Sequence, residues 1–185
     1  MNDKLYFEYL KNISWKGKAY RDLVVYPLIE KWAKGSVLDV GCGIGSFVKR
    51  NENYKGVDIN KECVMFCKNA GLDVKEMELD VLPFENYMFD TIILDNVLEH
   101  IEDPDSIVRE INRVLRPNGR IIVLVPGHKG YKADDDHKNF YDFKALNDLG
   151  KKYSLAIEKK ISLPLPFLSK YLSFFCYFAV FRQQN

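Results

Sequence analysis

The chain has 185 residues, 47% of them hydrophobic, a length within one domain's range and sufficient to bury a substantial core. Lysine plus arginine number 27 against 26 aspartate plus glutamate, so no global charge draws the protein onto nucleic acid, and no nucleic-acid partner is expected. Residues 1–8 mix charge with aromatics and lack the apolar run of a secretory leader, which makes the cytoplasm the expected location.

The chain opens with an aromatic-rich stretch, Tyr6, Phe7, Tyr9, Trp15, Tyr20 and Arg21, and apolar spacing predicts a first helix over residues 20–33. A short buried strand follows at 36–40, then the glycine-rich run Gly41, Cys42, Gly43, Ile44, Gly45. Ile44, Phe47 and Val48 fall at helical spacing, which predicts a helix over 44–50 and places the glycines at a strand-to-helix junction. Amides opening such a helix offer donors to a carboxylate or phosphate.

Further strands are expected at 54–58, 73–76, 89–95, 119–125, 155–162 and 172–182. Helices are expected at 61–70, 105–115 and 143–149, the last with Asp142 as N-cap and Gly150 as its stop. Alternating helices and strands predict an α/β fold, a mostly parallel doubly wound sheet with helices on both faces. The proline-containing loop before the last strand is too short for a crossover helix, so the final two strands are expected to pair antiparallel. The apolar stretch 172–181 is far shorter than the ~20 residues of a spanning helix, so no membrane span is expected. Weak surface attachment through 163–168 is the alternative that applies only if those apolar residues are exposed.

The cysteines are Cys42, Cys63, Cys67 and Cys176. None forms a C-x-x-C pair or a Cys/His cluster of zinc-site spacing, and no metal is expected. Asp134, Asp135 and Asp136 are adjacent acids pointing in different directions, read as a solvated loop.

Glycine spacing alone does not separate ligand classes, because dinucleotide folds use a similar turn for pyrophosphate. Here Asp39 stands two residues before Gly41, where it would repel a pyrophosphate and attract a sulfonium ligand bearing an ammonium group. With the acid-ended strand Gly56-Val57-Asp58-Ile59, the segment Leu79-Asp80-Val81, the run Phe89 to His100 and the turn Arg113 to Arg120, this pattern resembles the class I S-adenosylmethionine-dependent methyltransferases.

The resemblance spans roughly residues 37–126 and implies a Rossmann-like sheet of seven strands with a reversed last strand. It implies one methyltransferase domain, divided into an N-terminal helical cap (1–35), a cofactor-binding core (36–126) and an acceptor-side loop, helix and final strand pair (127–185). It further implies S-adenosylmethionine as cofactor and S-adenosylhomocysteine as product. Asp39, Gly41, Cys42, Gly43, Gly45, Asp58 and Ile59 would hold the cofactor. Asp80 and the Val81 amide would take its adenine, Asn96 its methionine end, and Arg21 its carboxylate or an anionic acceptor.

No N-P-P-Y type motif or Pro-Cys nucleophile follows the fourth strand, which disfavours base methylation and leaves a small-molecule acceptor as the first reading. Protein or RNA methylation, or a non-catalytic cofactor-binding partner subunit, are the alternatives. His137, in an H-x-x-F-Y pattern with Phe140 and Tyr141, is the first candidate general base, and a loop-anchoring hydrogen bond is its structural alternative. His128 is the second candidate. Glu99-His100 is read as helix packing and capping, with a metal or acid/base role as the alternative.

Overall fold

A computed structural model describes residues 3–164 and 175–184. Seven strands form one sheet: β1 (Val37–Val40), β2 (Tyr54–Asp58), β3 (Val74–Glu76), β4 (Phe89–Asp95), β5 (Leu115–Pro126), β6 (Leu155–Leu163) and β7 (Cys176–Gln183), in the order β3-β2-β1-β4-β5-β7-β6. β1 to β5 run parallel, whereas β7 lies antiparallel to both β5 and β6. This is the expected mixed seven-stranded sheet with a reversed last strand. Of the anticipated strand 172–182, positions 172–174 lie outside the described residues, as do 165–168 of the apolar loop segment.

The strands are apolar on both faces because helices cover both, and alternation divides their side chains into two cores. Leu38, Val40, Ile92, Leu94, Ile121 and Val123 join Ile107, Val108 and Ile111 of α5 (Asp105–Val114) and Leu146 of α7 (Phe143–Lys152). Val37, Ile93, Ile122 and Leu124 face the other way, onto Val25, Tyr26 and Ile29. Burial of each such aliphatic side chain is worth about 1.5–3 kcal/mol.

At the N-terminus, α1 (Asp3–Lys11) precedes α2 (Trp15–Tyr20), a π-helical turn (Arg21–Val25) and α3 (Tyr26–Trp32). The widened turn, in which the Tyr26 amide donates to the Arg21 carbonyl, interrupts the helix anticipated over 20–33. Between β2 and β3, α4 (Lys61–Asn69) is capped at both ends. Asn60 Oδ1 accepts from the Glu62 and Cys63 amides. The Gly71 and Leu72 amides donate to the carbonyls of Lys68 and Cys67, a Schellman closure for which Gly71 takes φ 77°. A four-residue helix, α6 (His128–Tyr131), follows β5.

Three expectations need correction. No α-helix forms over 44–50: consecutive turns end in a single 3₁₀ turn at Val48–Arg50. Gly43 and Gly45 have φ of 54° and 69°, outside the helical region, while Phe47 is held between the rings of Tyr26 and Tyr54. Helix α7 does not stop at Gly150 but runs to Lys152: Gly150 does not take the positive φ of a C-cap and instead fills a buried helical position where a Cβ would meet Phe181 and the Leu155 carbonyl at 2.8 Å. Its Asp142 N-cap is present, accepting from the Lys144 and Ala145 amides. Finally, β5 begins at Leu115 rather than 119, since Leu115 pairs with Phe89 before residues 116–119 bulge out of register.

Candidate active site

The strand order reverses between β1 and β4, and the crevice beyond the carboxyl ends of β1, β2 and β4 is where open α/β sheets bind ligands. A cleft of about 250 Å³ opens there. Its floor includes Val40, Gly41, Asp58, Ile59 and Asn60, its sides Met77, Leu79, Asn96 and Val97, and its far end His100, Asp134 and Asp136. Asp3 and Tyr6 of α1 close over it. Asn60 Nδ2 ties α1 down by donating to the Asp3 carbonyl at 2.8 Å, and Phe7 meets Phe66 of α4 edge-on.

Asp58 organises the floor. Its Oδ2 accepts from the Gly43 amide at 2.6 Å and its Oδ1 from the Asn60 amide at 2.8 Å, joining the glycine turn to the start of α4. Burial raises the Asp58 pKa, while those amide bonds oppose the rise. The Gly41 and Cys42 amides both donate to the Val57 carbonyl, and the Gly45 amide to the Cys42 carbonyl. These donors are therefore engaged by β2 and by the turn itself, in place of the free helix-opening amides anticipated from the sequence. Gly41 has φ 71°, and a Cβ there would lie 2.6 Å from Val97, so neither the turn nor the cleft wall accepts a side chain.

Behind the floor lies a cluster of carboxylates. Asp39 is buried, and burial followed by the neighbouring Asp95 pushes its carboxyl well above the usual range. Arg21 pairs with Asp95 Oδ2 and donates through Nε to the Tyr26 hydroxyl at 3.1 Å. Burial alone would lower the Arg21 pKa, but Asp95 and Tyr26 raise it, keeping the guanidinium charged. Asn96, at φ 56°, continues the chain by donating to Asp95 Oδ1 at 2.9 Å. Arg21 is thus matched to Asp95, and Asp58 is the carboxylate that lines the cleft itself.

The structure brings Gly41, Asp58, Ile59 and Asn96 to the cleft, with Gly43 joined through Asp58. It does not bring every anticipated residue there. Arg21 does not line the cleft, its guanidinium being held by Asp95 and Tyr26. The Cys42 thiol is buried against Cys67 rather than facing the opening, and Gly45 backs onto Leu72 and Cys67. Asp80 is exposed and outside the lining, and the Val81 amide is engaged by the Glu78 carbonyl at 3.3 Å. Met77 and Leu79 occupy that wall instead. Asp134 and Asp136, read from sequence as a solvated loop, reach the rim; Asp134 Oδ1 accepts from the Asp136 amide at 2.9 Å.

His137 stands behind His100, with ring centroids 4.7 Å apart. Its Nδ1 lies 2.7 Å from the Tyr131 carbonyl, and its ring stacks on Tyr131. His128 is exposed on α6 and meets Phe140 edge-on, outside the lining. Sequence reasoning does not single out Asn60, whose signal is an N-cap two positions after the strand-end acid, and takes Glu99 first as helix packing and capping. Glu99 is 1% exposed, and burial first, then Asp95 and Asp134, push its carboxyl up to about 8.

Residues 38–123 match the family model described as a methyltransferase domain. The chain carries a class I methyltransferase domain. An uncharacterized protein of Methanocaldococcus jannaschii is 32% identical over 133 residues, 69% of this chain and 64% of that protein. The ubiquinone/menaquinone biosynthesis C-methyltransferase of Hahella chejuensis is 29% identical, over 64% of this chain and 53% of that enzyme. The methyltransferase-domain chain thus spans between about half and two thirds of the length of these curated relatives. Other matches include "Norajmaline N-methyltransferase" of Rauvolfia serpentina and "Probable tRNA methyltransferase 9B" of Mus musculus. Among solved structures, a SAM dependent methyltransferase from Aquifex aeolicus superposes with a TM-score of 0.74 over 100% of both chains at 15% identity, a likeness of fold.

Proposed function

We propose that this protein is an S-adenosylmethionine-dependent methyltransferase acting on a small-molecule acceptor. The observation that carries the cofactor assignment is the Asp58 bridge between the glycine turn and α4, set over the Asp39–Asp95 cluster in a methyltransferase domain. The residues fit the cofactor: Gly41 keeps the floor open where a Cβ would collide, and the Asp58 carboxylate lies in the lining as a hydrogen-bond acceptor. Asp58 would accept from the ribose hydroxyls, as acids at this strand end do in nucleotide folds. Ile59 and Leu79 would flank the adenine, and Asn96 the methionine end.

S-adenosylmethionine, when bound, supplies an electrophilic methyl group. The protein's task is then to align the acceptor, exclude water and accept any proton the acceptor must lose. Tyr6 and Asp3 close the cleft over the floor, and His100, backed by His137, presents the only imidazole in the described lining. A His100 ring at that end would contact and orient the acceptor.

The balanced charge and the closure by α1 favour a small acceptor over a polynucleotide. The tRNA methyltransferase among the relatives supports RNA as the second reading. Four free, buried thiols favour a reducing compartment, the cytoplasm. Among the described residues no helix is long and apolar enough to cross a membrane. Incubation with methyl-labelled S-adenosylmethionine and, in parallel, small amines, phenols and quinol precursors or bulk tRNA tests the assignment. Label in a small acceptor supports it; label only in tRNA replaces it with the second reading.

A further inference from the structure

We propose that Glu99, His100 and His137 form a binding site for one divalent transition-metal ion at the acceptor end of the cleft. The three side chains offer ligand atoms that all lie within 4.8 Å of one another. Around an ion with bonds of about 2.1 Å, tetrahedral ligand atoms are about 3.4 Å apart, so binding would draw the three groups closer together. Two imidazoles and one carboxylate are a donor set for zinc, iron(II) or manganese(II), completed by His137 from a segment distant in sequence from Glu99-His100.

The strongest independent observation is Glu99 itself. Its side chain is 1% exposed and both carboxylate oxygens are buried. Apart from its own backbone amide, no donor among the described residues reaches either oxygen. A buried carboxylate without donors is costly, and an ion provides the missing partner.

The histidines carry the outer contacts that metal-binding imidazoles use. His137 has Nδ1 on the Tyr131 carbonyl at 2.7 Å, which directs Nε2 as its ligand atom, and the stacked Tyr131 ring fixes its plane. His100 hydrogen-bonds the backbone of Asp136. The two segments are also fastened together. The Glu99 carbonyl accepts from the Lys138 and Asn139 amides at 2.7 and 3.2 Å, and Asn139 Nδ2 donates to the carbonyls of Ile101 and Glu102. Because His100 lines the cleft, an ion held by these three residues keeps open positions toward it.

The test uses the full chain, stripped with chelator and titrated with Co²⁺ as a spectroscopic probe and Zn²⁺ by calorimetry. One equivalent should bind, with cobalt d–d absorption and a raised melting temperature. Glu99→Gln and His137→Gln should each weaken binding by about tenfold or more, since even outer-shell losses cost that much. Cobalt uptake that is absent, or equal in wild type and a folded Glu99→Gln variant, overturns the site. If Glu99→Gln does not fold, His137→Gln and His100→Gln decide by the same readout. Ion binding does not depend on the methyltransferase reading, and S-adenosylmethionine titration of the same samples reports on that separately.

Discussion

Asp58 Oδ2 accepts a 2.6 Å hydrogen bond from the Gly43 amide, so the residue expected to hold the ribose also sets the conformation of the glycine turn. Shape and ligand contact are coupled in one carboxylate. Asp58→Ala removes this bond, the bond from the Asn60 amide and the acceptor for the ligand. With hydrogen bonds to charged groups worth about 1.5–3 kcal/mol each, cofactor affinity is predicted to fall by about tenfold to more than a hundredfold. Calorimetric titration of the variant measures this directly, and unchanged affinity would remove Asp58 from the binding site.

The glycine turn makes a contrasting pair with the α4 terminus. Gly41 and Gly71 both have positive φ, but a Cβ at Gly41 would lie 2.6 Å from Val97, whereas at Gly71 nothing lies within 4 Å. Gly71→Ala is predicted to cost only the left-handed strain, about 1–2 kcal/mol. Gly41→Ala adds a collision to the same strain and is predicted to cost more and to reduce cofactor affinity. Urea unfolding of the two variants gives the comparison; equal losses would show that Val97 yields freely.

Much of this arrangement was legible in the sequence, and the reasons for success and failure are local. Residues 54–58 and 89–95 were read to the residue because each is an apolar strand ending in an acid. The segment 44–50 was misread because apolar spacing alone cannot report that Gly43 and Gly45 adopt positive φ. The start of β5 was missed because Arg116 to Gly119 has turn composition, and here the turn is a bulge inside a pairing that has already begun. Asp80 and Val81 were placed by resemblance, yet the Glu78–Val81 bridge leaves Asp80 in solvent. Glu99 read as helix packing because its environment is made by a loop nearly forty residues later, information that spacing does not contain.

Asp39 predicts a pH dependence. Burial, then Asp95, raise its carboxyl well above the usual range, only partly opposed by Arg21. A folded pKa above the unfolded value of about 3.9 means that its stabilising contribution is complete below that value and is lost as pH rises through the folded pKa. Without ligand, Asp39→Asn is therefore predicted to melt above wild type at neutral pH, the gap closing as pH falls toward about 4. Thermal melts across pH check this. A gap independent of pH would mean that Asp39 ionisation does not contribute.

The core offers a control outside the cleft lining. Ile111 of α5 is fully buried between the sheet and its neighbours, and Ile111→Ala is predicted to cost about 2–5 kcal/mol. Chemical denaturation measures the loss, and S-adenosylmethionine affinity of the folded fraction should remain within about twofold, because Ile111 does not itself line the cleft. A large affinity change would show that α5 packing and the floor are coupled.

The most direct test of the central assignment is calorimetric titration of the purified protein with S-adenosylmethionine, S-adenosylhomocysteine and NAD in separate experiments. The account predicts saturable binding of both adenosyl ligands at one site, their loss in Asp58→Ala, and no binding of NAD. Binding of NAD with neither adenosyl ligand, or silence from all three in folded protein, would contradict it.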